Sequence, residues 1–394
     1  MKILNLNIEN DPILGDLSID FRGSTGDILT TIVIAGPNGS GKTTILNKIN
    51  DLQQSQVTVS FADDNRMIEK LNTVNHTKYS ADFFNKNIAL FIKCTNDLWQ
   101  QFSAGELPRM IYANAEINFN NIDLNVRQVG YNYAFHTWVN SSQSVKDINS
   151  HISSFVDSEV YGNQDQLPKT SINNACKKIN ETFSAVEMDV RMIGLKDDGS
   201  RRPLFVNSSG DKFEITSLSS GEKQLFIRAL GIKFLNPKNS IILVDEPEIS
   251  LHPDWQRLII KVYESLGNNN QLIIATHSPL VISSAKKESL RILERNKTKN
   301  GNKILVKSYN DFADVYGIEA NRVLTEIMGL STTRPPEIEN KIRRLREIAG
   351  KEPDSNSFYS LYKELEETIG SVDQDLLLIR MAVEYRKVKD NHEK

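Results

Sequence analysis

The stretch that decides the fold is residues 32–47, I-V-I-A-G-P-N-G-S-G-K-T-T-I-L-N. It opens with a β-branched run, which is typical of a buried strand. Residues 36–43 then fit the pattern G-x-x-x-x-G-K-[ST], and residues 44–49 read as the start of a helix. A strand, a glycine-rich loop and a helix in this order predict a P-loop. In such a loop, backbone N–H groups and the positive end of the helix dipole hold phosphate oxygens.

The residues of this loop predict a nucleotide site. We expect Lys42 to reach the β- and γ-phosphates and Thr43 to place its hydroxyl on Mg²⁺. The alternative, a glycine-rich turn that binds nothing, is weakened by the strand and the helix on either side of the loop. The predicted nucleotide-binding residues are Gly36, Asn38, Gly39, Ser40, Gly41, Lys42, Thr43 and Thr44.

Composition limits the kind of protein. A chain of 394 residues has room for two or three domains. Its net charge of −3 and pI near 6.1 argue against a strongly basic protein that coats nucleic acid, although a local basic groove stays open. No apolar run approaches the roughly 18 to 20 residues of a membrane span, and the N-terminal residues read as a strand. We therefore expect a cytoplasmic protein without a membrane partner.

A second hydrophobic strand, residues 241–244, ends in two carboxylates, Asp245 and Glu246. Consecutive apolar residues are typical of a parallel strand buried on both faces, and ligands bind at the carboxyl ends of such strands. We expect Asp245 to hold Mg²⁺, directly or through its waters, and Glu246 to polarise the attacking water. An acidic pair without a role is the weaker alternative beside a P-loop.

The run L-S-S-G-E-K-Q at residues 218–224 opens a predicted helix just before that strand. A serine N-cap followed by glycine leaves N–H groups facing outward, which makes a second phosphate grip. Alone, the run would indicate an ordinary capped helix. Because the P-loop already holds phosphates in its own subunit, a second grip most naturally serves the nucleotide of another subunit. Its residues are Ser219, Ser220, Gly221 and Glu222.

A third strand, residues 271–275, is followed by His277. A histidine at a strand end can hydrogen-bond the γ-phosphate. A lone histidine is more often structural, but the accompanying motifs favour a catalytic one. The predicted catalytic residues are therefore Glu246 and His277, with Thr43 and Asp245 as the metal ligands.

Together, these motifs resemble the ABC-type ATPase heads. The run D-E-P-E-I-S-L-H-P at residues 245–253, with A-T-H-S-P at residues 275–279, is similar to the soluble OLD, RecF and SMC-like branch rather than to transporters. The resemblance implies ATP and Mg²⁺ as cofactors and a head-to-tail homodimer or higher oligomer. It also implies that Ser219 and Gly221 grip the γ-phosphate bound by Lys42 of the other subunit.

Two positions depart from the family pattern. His252 stands where transporters have the D-loop aspartate, which is usual for this branch. No Q-loop glutamine is placed by the sequence, because the strand that ends near residues 113–116 is the expected site and lacks one. Whether a residue at that position contacts the metal, and whether it couples the site to the insertion, is left open.

The predicted fold is an α/β ABC-ATPase head: a mixed sheet with a P-loop parallel core and antiparallel N-terminal strands, a helical insertion and a helical C-terminal tail. The head is predicted at residues 1–50 and 171–310, the insertion at 51–170 and a partner-binding tail at 311–394. Three apolar stripes predict the tail helices. Further elements are predicted as strands at 2–8, 14–21, 109–119, 186–193 and 203–207, and as a helix at 171–184.

Two other features of the sequence each allow two interpretations. Tyr131, Tyr133, Phe135 and Trp138 could stack on bases, but such a cluster is more often the core of a subdomain. The basic turn at residues 295–303 is either a phosphate-touching loop or, more often, a solvated hairpin tip.

OLD nucleases carry a metal-binding nuclease domain after the histidine. Here no suitable glutamate plus D-x-D cluster is recognised: Asp373 and Asp375 begin a predicted helix, where acidic residues act as caps. The histidines are also too scattered for an HNH site. We therefore expect ATP hydrolysis without a nuclease active site in this chain.

The tail at residues 316–324 and 328–337 is similar to the tails of Septu and retron-linked anti-phage ATPases (PtuA-like), which are encoded beside small HNH nucleases. The resemblance implies a sensor and scaffold subunit of a bacterial antiviral defence complex that controls a separate HNH-type nuclease. The alternative is a DNA-repair or chromosome-maintenance ATPase of the RecF/SMC type, with nucleic acid as a partner. A transporter subunit is disfavoured by the long segment at 51–210.

Overall fold

The computed structural model describes residues 1–51, 57–61, 107–129, 134–298, 301–353 and 355–392. The chain divides into two compact units, Met1–Val323 and Leu324–Lys394. The division falls after Val323, later in the chain than the boundary predicted at residue 310.

The first unit contains all of the described strands. They are β1 (Ile3–Asp11), β2 (Gly15–Asp20), β3 (Thr31–Ala35), β4 (Val57–Phe61), β5 (Met110–Ala113), β6 (His136–Trp138), β7 (Arg191–Leu195), β8 (Pro203–Val206), β9 (Lys212–Phe213), β10 (Ile241–Asp245), β11 (Gln271–Thr276), β12 (Leu290–Thr298) and β13 (Gly301–Lys307). Its helices are α1 (Lys42–Asn50), α2 (Ser142–Lys146), α3 (Ile148–Gly162), α4 (Pro168–Glu181), α5 (Ser220–Phe234), α6 (Pro253–Gln256), α7 (Ile259–Glu264), α8 (Pro279–Ser284) and α9 (Ala320–Arg322).

A sheet with the strand order β13-β12-β3-β11-β10-β5-β6 forms the centre of this unit. Its neighbouring strands pair in parallel, except for the antiparallel edge pair β12–β13. Two smaller antiparallel sheets, β2-β1-β4 and β7-β8-β9, complete the strands. The predicted α/β class, with a parallel core and antiparallel N-terminal strands, is confirmed.

The parallel strands bring the predicted motifs to one edge of the sheet. β10 and β11 are buried throughout their length, as a strand covered on both faces must be. Asp245 pairs in register with Ala275, and Ala35 pairs with Thr276. The P-loop, the acidic pair and His277 therefore leave the sheet side by side at its carboxyl edge, where such sheets bind ligands.

The segment predicted as an insertion contributes to the central sheet. β5 and β6 both lie within residues 51–170; they pair with each other, and β5 also pairs with β10. β5 ends at Ala113, so the strand prediction that extended to residue 119 is wrong over its second half. There the chain turns away, because Asn140 accepts the N–H of Asn114 and donates to its carbonyl, both at 2.8 Å.

Two neighbouring elements also differ from their predicted bounds. The helix predicted at 171–184 starts earlier, because Pro168 occupies its first turn, where a missing N–H costs nothing. The strand predicted from residue 186 starts at Arg191, after a turn in which the Val186 N–H donates to the Phe183 carbonyl.

The second unit is a helical tail with its own core. Its helices are α10 (Pro336–Lys351), α11 (Asn356–Ile369) and α12 (Gln374–His392). Phe358 is buried, whereas Tyr359, which the second predicted stripe included, is 50% exposed. The buried residues of this core are Ile342, Leu345, Ala349, Phe358, Leu365, Leu376, Ile379 and Val383.

Candidate nucleotide-binding site

The P-loop forms the floor of an open cavity of about 430 Å³. Lys42 is buried, and its ammonium group donates to the carbonyls of Gly36 (3.0 Å) and Pro37 (3.1 Å). Burial lowers the pKa of Lys42, although the carboxylates of Glu246, Glu248 and Asp245 act in the opposite direction. The cavity is lined by Ile13, Asn38, Gly39, Gly41, Lys42, Thr43, Thr44 and Glu246.

The turn between β1 and β2 supports this loop, a role that the sequence analysis missed. Gly41 has a φ of 92°, and a Cβ added there would lie 2.4 Å from a methyl group of Leu14, so only glycine fits. Asp11 holds the turn by accepting the N–H groups of Ile13 and Leu14, both at 2.9 Å. It also pairs with Lys48 of α1 at 2.8 Å. The turn and the P-loop helix are therefore tied together.

Thr43 and Asp245, the two predicted metal ligands, are in direct contact. The Thr43 hydroxyl donates to Asp245 Oδ2 at 2.8 Å, and the residues lie 202 positions apart in the chain. Asp245 Oδ1 is buried and has no hydrogen-bond partner within the described residues. Burial raises the pKa of Asp245 to about 6, against the opposing bond from Thr43. A hydroxyl beside a buried carboxylate with a free oxygen fits a bound Mg²⁺, which takes oxygen ligands.

Glu246 and His277 form a contact at the mouth of the cavity. His277 Nδ1 lies 2.9 Å from Glu246 Oε1. Glu246 has a φ of 43°, the left-handed region that a non-glycine residue rarely adopts, and such strain occurs at functional sites. Its N–H donates to the Ala275 carbonyl at 2.8 Å, and its carbonyl accepts from Arg228 at 3.0 Å, which hold it in that conformation.

Arg228 is a fully buried guanidinium on α5 that the sequence analysis did not single out. Besides the Glu246 carbonyl, it donates to the carbonyls of Asn114 and Ala115. Gln224, one turn earlier on α5, donates to the Ala115 carbonyl at 3.1 Å. These bonds join α5 to the end of β5, where no Q-loop glutamine was found. The sequence does contain a signal for this role, because Arg228 is a charged residue within the apolar run F-I-R-A-L.

The second predicted phosphate grip is the capped N-terminus of α5. The Ser219 side chain accepts the Glu222 N–H at 3.3 Å, and the Glu222 carboxylate accepts the Ser219 N–H at 2.8 Å. This capping box leaves the N–H groups of Ser220 and Gly221 available. Ser219 and Ser220 are exposed, and none of these residues lines the P-loop cavity. The chain therefore does not bring the grip to its own P-loop.

Gly221 also packs closely against another part of the same unit. A Cβ on Gly221 would lie 2.4 Å from the Ser250 carbonyl oxygen. This glycine therefore lets α5 begin directly on the segment that follows the acidic pair.

The basic turn contributes one contact to the site. The guanidinium of Arg295 on β12 donates to the Gly39 carbonyl in the P-loop. Of the predicted aromatic cluster, Phe135 is buried and Trp138 packs on Tyr112 with ring centroids 4.7 Å apart. Tyr131 and Tyr133 lie outside the described residues.

The acidic residues of the tail act as predicted for a helix start. Asp373 Oδ1 accepts the N–H groups of Asp375 (3.0 Å) and Leu376 (3.3 Å) at the beginning of α12. Arg334 pairs with both Asp373 (2.8 Å) and Asp375 (2.7 Å). Both carboxylates are therefore neutralised by an arginine of the same chain.

Sequence comparison finds a protein family that is similar to part of the chain. Residues 112–283, which hold the α5 grip, the acidic pair and His277, match the family model described as "AAA domain, putative AbiEii toxin, Type IV TA system". Over these residues the chain is similar to an AAA-family ATPase domain, and the P-loop lies before the matched range.

Two relatives are a Septu protein and a probable retron ATPase. The chain is 21% identical to "Septu protein PtuA" of Bacillus thuringiensis over 387 residues, 89% of this chain and 93% of that protein. It is 32% identical to "Retron Vc95 probable ATPase" of Vibrio cholerae serotype O1 biovar El Tor over 131 residues, which are 30% of this chain and 25% of that protein. The chain therefore spans only a quarter of the retron ATPase.

A solved head domain also aligns with the chain. The "SMC head domain from Thermotoga maritima" aligns with a TM-score of 0.38 and 14% identity, covering 78% of this chain and all of that one. Separately, no helix among the described residues has the length and apolar character to cross a membrane.

Proposed function

We propose that this protein hydrolyses ATP as a head-to-tail dimer and acts as the sensor and scaffold subunit of a bacterial anti-phage defence complex, controlling a separate HNH-type nuclease. The observation that carries the proposal is the separation of two half-sites on one chain. Residues of the P-loop and Glu246 line one cavity, and Asp245 and His277 contact Thr43 and Glu246 there. Ser219 and Ser220 of the α5 grip are exposed and do not line this cavity. The similarity to a Septu protein over 93% of its length supports the defence role.

The residues have the following parts in the proposed reaction. The P-loop N–H groups and Lys42 bind the β- and γ-phosphates and offset their charge. Thr43 and Asp245 would hold Mg²⁺, which would neutralise phosphate charge when bound. Glu246 accepts hydrogen bonds from the attacking water and orients it toward the γ-phosphorus.

The contact between His277 and Glu246 serves orientation. With Nδ1 at the Glu246 carboxylate, the imidazole keeps Nε2 for the γ-phosphate. The N–H groups of Ser220 and Gly221 at the start of α5 then bind the γ-phosphate of the other subunit, together with the Ser219 hydroxyl. Water is excluded and the site completed only when two copies close on each other.

Subunit mixing tests the shared site. K42A removes the phosphate-binding lysine and S219R blocks the grip, so each homodimer is expected to lose hydrolysis by at least about a hundredfold. In a mixed dimer, one site combines an intact Lys42 with an intact Ser219. An equal mixture should therefore recover roughly a quarter of wild-type activity, since about half of the dimers are mixed and each has one good site.

The control for the mixing experiment is S208R, which places the same side chain at the exposed turn between β8 and β9, outside the grip. Its homodimer should keep wild-type hydrolysis. A proposal of shared sites fails if S219R alone hydrolyses ATP at the wild-type rate, or if mass measurement detects mixed dimers that recover no activity.

A further inference from the structure

Glu248 is a buried carboxylate next to the site whose role the proposed reaction does not use. Its side chain is 4% exposed, and it does not line the P-loop cavity. Burying a carboxylate is unfavourable unless hydrogen-bond donors surround it. An ionisable residue at such a position therefore needs a specific set of donors.

The donors all come from the turn that carries His277. Glu248 Oε1 accepts the hydroxyl of Thr276 and the backbone N–H groups of His277 and Ser278, the last two at 3.1 Å. Its other oxygen, Oε2, has no hydrogen-bond partner within the described residues. Glu248 Oε1 thus accepts hydrogen bonds from three consecutive residues, 276–278. These bonds fix the backbone on both sides of the histidine.

Two carboxylates lie near the same ring nitrogen of His277. His277 Nδ1 is 2.9 Å from Glu246 Oε1 and 3.7 Å from Glu248 Oε1. The shorter distance is the hydrogen bond proposed to orient Nε2. The side chain of His277 is 39% exposed, so little packing holds the ring and its backbone must do so.

The same turn is bonded to the segment after the acidic pair. The Ser278 hydroxyl donates to Gln256 Oε1 at 2.7 Å, and Gln256 Nε2 donates to the Leu251 carbonyl at 3.0 Å. Leu251 follows Ser250, on which Gly221 at the start of α5 is packed. Glu248 therefore anchors the turn at one end of a chain of contacts that reaches the second half-site.

We propose that Glu248 is a positioning residue for His277: its carboxylate fixes the backbone of residues 276–278 so that Nδ1 stays on Glu246 and Nε2 is directed to the γ-phosphate. This inference rests on the proposed ATP hydrolysis. The residue acts through His277 and makes no contact of its own with the nucleotide.

The test is a double-mutant cycle of E248A and H277A in the full-length protein, with ATP and Mg²⁺. We expect E248A to lower kcat by about tenfold to a hundredfold, because a misplaced catalytic group loses that much. The dissociation constant of a fluorescent ATP analogue should change by less than about threefold. In the H277A background, E248A should cause no further loss of kcat, because the histidine through which it acts is absent.

Conservative variants separate positioning from folding. E248Q retains the carbonyl oxygen that accepts the three bonds, so it should keep kcat within about threefold of wild type. If E248A does not fold, T276V enters the cycle in its place, because it removes one donor at nearly constant volume. Its loss of kcat should be smaller and should likewise vanish in the H277A background.

Three results would overturn the inference while leaving ATP hydrolysis intact. They are an unchanged kcat in E248A, an equal loss of kcat with and without His277, and a loss of nucleotide affinity in place of kcat. A wild-type protein that shows no ATP hydrolysis at all would instead refute the proposed function.

Discussion

At the residue scale, Asp245 carries a conflict between stability and function. Burial raises its pKa to about 6, above the ordinary 3.8, so the folded protein disfavours the ionised form. The folded state therefore loses stability as the pH rises from about 4 through about 6. A shift of this size corresponds to about 3 kcal/mol. The ionised form is also the one that would bind Mg²⁺ in the proposed reaction.

We therefore predict that D245N stabilises the nucleotide-free protein at pH 8 by up to about 3 kcal/mol, and that the gain disappears toward pH 4. The same variant should lose ATP hydrolysis by at least about a hundredfold, because the metal ligand is gone. Thermal unfolding across this pH range and a phosphate-release assay measure the two effects. The control is D165N at an exposed position, which should change neither. A less stable D245N at pH 8 would contradict the account.

The residues that sequence could identify are those whose partners lie nearby in the chain or in a motif. Lys42, Thr43, Asp245 and Glu246 follow from two short runs, each at the end of an apolar strand. Arg228 could not be interpreted in this way, because its three carbonyl partners come from residues 114, 115 and 246. Their meeting depends on the order of strands in the sheet, which no local pattern encodes.

At the element scale, helices and strands were predictable where apolar periodicity was strong. The buried strands β3, β10 and β11 end where the motifs begin. β5 was predicted too long because the run after Ala113 is apolar enough for a strand, but the bonds to Asn140 and Arg228 turn it away. A side-chain contact between distant segments overrides local propensity there.

The start of α5 allows a direct test of how the elements support the grip. G221A adds a methyl group 2.4 Å from the Ser250 carbonyl, so the helix or the segment must move. We predict a loss of about 1–3 kcal/mol in unfolding free energy and at least about a tenfold loss of hydrolysis. Affinity for a fluorescent ATP analogue should stay within about threefold, because Gly221 does not line its own P-loop cavity.

The matched control for this change is G162A at the end of α3, where an added Cβ meets nothing within 4 Å. It should keep both stability and hydrolysis. If G221A hydrolyses ATP at the wild-type rate, the close approach of α5 to Ser250 does not matter for the reaction.

At the scale of the whole molecule, the helical tail has an apolar surface that its own core does not use. One side of α12 is buried in the tail core, whereas its other side exposes large apolar side chains. Leu377 is 41% exposed, Leu378 56%, Met381 64% and Tyr385 73%. A helix that is apolar on both sides usually lies between two partners, and contiguous exposed apolar residues mark interaction sites.

The proposed partner of this surface is the nuclease. We predict that L378E/M381E lowers capture of the nuclease by at least about tenfold, because two charges would be buried in the interface. ATP hydrolysis should remain, since the tail is a compact unit separate from residues 1–323. The control S357E/S360E adds the same charge at exposed serines of α11 and should preserve capture. Affinity capture from native cells with quantitative mass spectrometry measures the difference. Equal nuclease recovery with both variants would exclude this surface, and DNA-stimulated hydrolysis without any nuclease would favour the repair ATPase instead.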